Sequence, residues 1–166
     1  MDYLKDLLSR YQNKGVLVDT NLLLVYFVGI YDPDRIKRFN RTAAFTVEDF
    51  VLLYQLLAYF SKVVTTPNIL TEVNSLSNKL PDDLKPAFYP VFANRVAVLE
   101  ELYVESKTAS SHERFDRFGL TDSGIITLAQ GAYLVLTDDF KLAGYLEKIN
   151  VDVINFNHIR SINWDI

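Results

Sequence analysis

Four carboxylates stand where the surrounding sequence is apolar. Asp19 interrupts VLVDTNLLL (16–24), a run that turns from apolar to acid, hydroxyl and amide and then back again. Glu72 lies in NILTEVNSLSNKL (68–80), whose apolar stripe is Ile69, Val73, Leu76 and Leu80. At about 100° per residue it falls between Ile69 and Leu76, at the edge of that stripe. Asp122 has Ile125, Ile126 and Ala129 at i+3, i+4 and i+7, and Asp139 has Leu142, Ala143 and Leu146. Asp138 has Lys141, Leu142 and Tyr145 at the same spacings, so periodicity turns Asp139 inward and leaves Asp138 as a helix cap.

Taken singly, each acid has a structural explanation. Asp19, Asp122 and Asp139 could favour helix N-termini, and Glu72 could pair with an inward Lys or Arg. Together these explanations weaken, because buried carboxylates are costly without a cation and no Lys or Arg holds a matching position. An all-oxygen set suits a hard divalent ion, Mg²⁺ or Mn²⁺ rather than zinc. The chain has no Cys and only two His, and His112 and His158 read as surface or loop residues. Carboxylates sharing a pocket repel one another, so one tends to keep its proton unless a cation enters. One or two such ions would hold a scissile phosphate and activate water for in-line attack, with no His base needed. Thr137, Thr20 and Asn21 stand where they could orient water or the acids.

The elements that must position these residues follow from short apolar runs alternating with helical patterns, the signature of βαβ units and a parallel sheet. A short amphipathic helix is expected at the N-terminus (1–14), on Leu4, Leu7, Leu8 and Tyr11. GVLV (15–18) reads as the first strand, with a helix from Asn21. A helix opening at Thr46 carries Asp49 three residues on, a capping-box pattern. KVVTT (62–66) reads as a strand, and Thr66–Pro67 as N-cap and first helical residue. A helix is expected over 84–103, containing Pro86 and Pro90, then a mobile polar connection over 105–118. After that come a helix from about Thr121, strand 133–136, a helix from about Asp138 and strand 151–156. Such doubly wound folds bind ligands beyond the carboxyl ends of their strands.

With 166 residues, 49% hydrophobic and 23% charged, the composition is that of one globular domain spanning 1–166. The runs at 22–31 and 50–60 fall short of the roughly 20 apolar residues a membrane span requires. No signal-peptide core is visible, and the absence of Cys suits a reducing cytoplasm. Twenty-one acids against 17 bases argue against general affinity for polyanions, but setting the four candidate acids aside leaves the charges balanced. Two basic clusters could then guide a nucleic acid: Arg35, Lys37, Arg38 and Arg41, and Arg114 with Arg117, with Phe39, Phe115 and Phe118 to stack on bases. Each also reads as a solvated loop with a hydrophobic anchor.

VDTN (18–21), the helical Glu72, TDSGIITLAQ (121–130) and VLTDDFKLAGYL (135–146) together resemble the PIN domain, a relative of the flap-endonuclease-like nucleases. All four elements occur in the family's order over roughly 15–156, and Asp139 takes the fourth acidic position. The resemblance implies a three-layer α/β fold with a central, mainly parallel sheet flanked by helices. It implies a divalent-metal-dependent endoribonuclease using Mg²⁺ or Mn²⁺, with an RNA substrate. Some relatives are toxins of toxin–antitoxin pairs, which brings in an antitoxin protein or a homodimer as partner. The segments at about 30–45 and 80–118 are expanded beyond the compact toxin pattern. The alternative is a PIN-like module that binds RNA or protein without cutting. A phosphoacceptor receiver would need paired early acids and a late lysine, and an Asp-x-Asp phosphatase would need a second aspartate that VDTN lacks.

Overall fold

The computed structural model describes residues 2–161, so residue 1 and residues 162–166 of the expected 1–166 span lie outside it. Its framework is a five-stranded, wholly parallel sheet. The strands are β1 (Val16–Val18), β2 (Val63–Thr65), β3 (Glu100–Glu101), β4 (Leu134–Thr137) and β5 (Val153–Asn155), in the order β3-β2-β1-β4-β5. Every residue of β1 and β4 is buried. Central parallel strands are covered on both faces, which is why they read as unbroken apolar runs.

Around the sheet stand α1 (Asp2–Tyr11), α2 (Thr20–Tyr31), α3 (Arg35–Arg38), α4 (Val47–Ala58), α5 (Pro67–Ser77) and α6 (Lys85–Val96). They are followed by α7 (Ser106–Ser110), α8 (Phe115–Ala129), α9 (Phe140–Lys148) and α10 (Phe156–Arg160). From β1 the chain steps outward to β2 and β3, then crosses back to β4 and β5 on the other side. Right-handed crossovers therefore lay α2 to α6 on one face and α7 to α9 on the other, giving the three-layer α/β arrangement. The reversal falls between β1 and β4, where two connections leave in opposite directions and open a crevice at the carboxyl edge. No described helix is long and apolar enough to cross a membrane.

Local chemistry sets the helix ends as the sequence suggests. Thr46 and Asp49 form the reciprocal capping box of α4, with bonds of 3.1 and 2.9 Å. Thr66 caps α5 through the Ile69 amide, with Pro67 in the first turn. The expected 84–103 helix is shorter than predicted: it ends at Val96, and Glu100–Glu101 pairs with β2 as the edge strand. Two exposed glutamates carry no strand periodicity, so β3 is made by its backbone alone. The polar stretch 105–118 is likewise not a free connection, since it contains α7 and the first turn of α8. Gly119, at φ 68° and ψ −169°, breaks α8 in a conformation essentially confined to glycine. That break separates Arg114–Phe118 from the turn that carries Thr121 and Asp122.

Candidate active site

Asp19 leaves the end of β1 at the crevice. Its backbone N–H donates to the Leu136 carbonyl at 3.0 Å, extending the β1–β4 ladder by one rung and fixing the residue beside Thr137. The side chain, only 7% exposed, caps α2: Oδ1 accepts from the Thr20 N–H at 2.7 Å. Oδ2 accepts from the Thr137 hydroxyl at 2.6 Å. Burial pushes the Asp19 carboxyl up to about 6, and these two donors only partly offset it. The charges of Asp138 and Asp139 push the same way.

Glu72 reaches the crevice from α5. Its residue is exposed, at the margin of the apolar stripe where periodicity places it; Ser77 is the buried polar residue of that helix. Both of its oxygens are nonetheless held. Oε2 accepts from the Thr20 hydroxyl at 3.0 Å, and Oε1 accepts from the Thr121 hydroxyl. Thr121 is a residue the sequence reading passed over. It is next to Asp122 on the turn after Gly119, and no periodicity distinguishes its hydroxyl from that of any helical threonine.

Asp122 projects from α8, where Ile125, Ile126 and Ala129 are buried as expected. Its carboxyl is pushed up to about 7, first by burial and then by the charges of Asp19, Asp139 and Glu72. Asp19, Asp139 and Glu72 therefore each bear on Asp122 across the crevice. None forms an ion pair among the described residues. They do not close on a common point: among the described residues no three acidic or histidine side chains make a ready cage for an ion.

The pair after β4 departs from expectation. Asp139, not Asp138, caps α9, its Oδ1 accepting from the Lys141 and Leu142 amides at 2.6 and 3.3 Å. The helix begins at Phe140, and Asp139 has extended backbone at φ −82° and ψ 112°, so counting helical positions from it misplaces its side chain. Asp139 stays at the crevice: its N–H donates to Thr137 Oγ1 at 3.0 Å, and its charge is felt by Asp19 and Asp122. Asp138 packs behind it. Asn21 offers its amide to Oδ2 at 3.5 Å, Asn157 donates to the Asp138 carbonyl, and Oδ1 is buried with no hydrogen-bond partner among the described residues. Burial raises its carboxyl above the ordinary range, with Arg160 opposing weakly.

In its chemistry alone the donor set suits a hard divalent cation: oxygen ligands only, no ammonium or guanidinium partner among the described residues, and two carboxyls raised by burial and neighbouring charge, though the side chains do not close into a cage.

The basic clusters divide. Arg35 faces Asp32 at 3.9 Å and Lys37 donates to the Ala43 carbonyl at 3.0 Å, so two of the four cations in the first cluster are tied down locally. Phe39 is a core residue, which corrects its expected stacking role. Arg38 and Arg41 are exposed. The segment is fastened to α10 by Arg160, which reaches the Ala44 carbonyl and Asp49. Arg114 and Arg117 are both exposed, and Phe118 packs partly into the core against Tyr145. His112 lies in the turn before α8, and His158 is an exposed residue of α10; among the described residues neither joins a ligand set.

No protein-family model matches the chain, and none of the curated proteins is similar to it.

Proposed function

We propose that the protein is a divalent-metal-dependent nuclease of PIN type that hydrolyses RNA phosphodiester bonds. The observation that supports this reading is that Asp19, Glu72, Asp122 and Asp139, none of them paired to a cation among the described residues, stand around the crevice at the switch point between β1 and β4.

A bound Mg²⁺ or Mn²⁺, held by these four carboxylates, would neutralise charge on the scissile phosphate and acidify the attacking water. The chain's own residues set the stage for that. Thr137 spans the two strands, donating to Asp19 and accepting from the Asp139 amide, so one hydroxyl fixes the relative positions of two acids. Thr20 and Thr121 aim Glu72 from α2 and α8, and each engaged oxygen keeps a lone pair. Asp122 keeps a proton up to near-neutral pH until positive charge displaces it.

A second reading, a PIN-like module that binds without cutting, is favoured by one observation: the acids stand around the crevice rather than converging on a point. Incubating single-stranded RNA with the protein in Mn²⁺ and in EDTA separates the two. The nuclease predicts cleavage in Mn²⁺ and none in EDTA. Cleavage that ignores EDTA, or none under either condition, leaves the binding module.

A further inference from the structure

Between the first turn of α8 and the outward side of α9 runs a cleft of about 220 Å³. Arg114, Arg117, Lys141 and Lys148 line it together with Phe140 and Tyr145. In a chain with a net charge of −4, four of the 17 basic residues meet at this one place. None of the four forms an ion pair among the described residues. The neighbouring acids Glu113, Asp116 and Glu147 make no ion pair with them among the described residues: Glu113 accepts from the Tyr145 hydroxyl at 3.3 Å, and Asp116 and Glu147 are exposed.

Three features separate this cleft from an ordinary solvated basic surface. Phe140 is 64% exposed, an unusual setting for a phenylalanine, and it follows directly on Asp139 at the rim of the carboxylate crevice. Gly144 lies in the cleft wall, and a Cβ there would meet no atom within 4 Å, so the space before α9 is open. Lys141 and Lys148 are two helical turns apart, about 10 Å along α9, so they can hold separate phosphates of one strand.

We infer that this cleft is the path of single-stranded nucleic acid leaving the carboxylate crevice, an inference that rests on the nuclease reading above. Phe140 stacks a base next to the scissile phosphate, and the four cations hold the following phosphates. Stacking on an aromatic face beside a cationic groove is how sequence-tolerant single-strand binding is built. The exposed cations fit phosphate, and a cleft of about 220 Å³ beside one helix fits a few nucleotides of one strand rather than a duplex.

The test is fluorescence anisotropy of a short labelled single-stranded RNA, in EDTA, with Asp19→Asn protein as the reference so that no substrate is consumed. Two variants are made on that background. Lys141→Glu/Lys148→Glu reverses two charges. Gly144→Glu fills the open wall with a carboxylate at a helical position where glutamate is the better helix former, so folding is retained. Each is expected to bind at least about tenfold more weakly, and the double variant's salt slope should drop from about −2.8 to about −1.4 as two of four phosphate contacts are lost. Unchanged affinity and unchanged slope in both variants overturn the proposal. A polyglutamate peptide that displaces the RNA with equal affinity also overturns it, in favour of an acidic protein partner.

Cleavage by the same substitutions in the Asp19 protein keeps the two readings apart. Weakened binding in a protein that never cleaves retains the path and removes the nuclease. Full cleavage with unchanged binding removes the path and retains the nuclease.

Discussion

Asp19→Asn is expected to lower divalent-dependent RNA cleavage at least about 100-fold while making the protein harder to unfold near neutral pH. The two effects come from one burial. A carboxylate 7% exposed gives up most of its hydration, and the Thr137 and Thr20 donors return only part of it. Moving its titration from 3.8 to about 6 corresponds to roughly 3 kcal/mol of folding free energy lost when the group is ionised. Asparagine removes that charge and keeps one acceptor oxygen, at the expense of one hydrogen bond worth about 1 kcal/mol. Thermal midpoints should therefore rise for the variant while cleavage is lost. A variant that melts earlier and still cleaves would make Asp19 a helix cap and nothing more.

The second large effect is a pH dependence opposite to that of ordinary acid denaturation. Asp19 and Asp122 titrate higher in the folded chain than in the unfolded one, at about 6 and about 7 instead of 3.8. Between these values the native state holds more protons than the unfolded state, so stability falls as pH rises. Their contribution is complete below the unfolded value and is lost as pH climbs through 6 and 7. Denaturant titrations in EDTA should thus give a lower unfolding free energy at about pH 8 than at about pH 5, by on the order of 1 kcal/mol or more from Asp19 alone. Mn²⁺ should reverse the loss at the higher pH, since binding needs ionised ligands and stabilises by about 2.7 kcal/mol at one hundred times its dissociation constant. A free energy that is flat or rises over that range, and ignores Mn²⁺, would contradict the picture of clustered, strained carboxylates.

Much of the architecture was legible because it follows from periodicity and caps. Buried strands read as apolar runs, Thr46 with Asp49 and Thr66 with Pro67 mark helix starts, and the acids interrupt the pattern where the strands end. What the sequence hid was whatever depends on backbone pairing or on a partner distant along the chain. Glu100–Glu101 becomes a strand only by lying against β2. Gly119 bends α8 with a dihedral angle no composition reveals. Asp139 took the capping role expected of Asp138 while staying at the crevice, because the capping residue lies outside the helix and its periodicity does not apply. Thr121 matters only through Glu72, forty-nine residues away. Phe39 looked available for stacking because it sits among arginines, yet its ring is in the core.

The most direct measurement is a calorimetric titration of Mn²⁺ into the purified protein at a pH above 7, where both raised carboxyls are ionised. Saturable binding with proton release is expected, at least about tenfold weaker in Asp19→Asn and in Asp122→Asn. No saturable binding, or binding that both substitutions leave untouched, would contradict it.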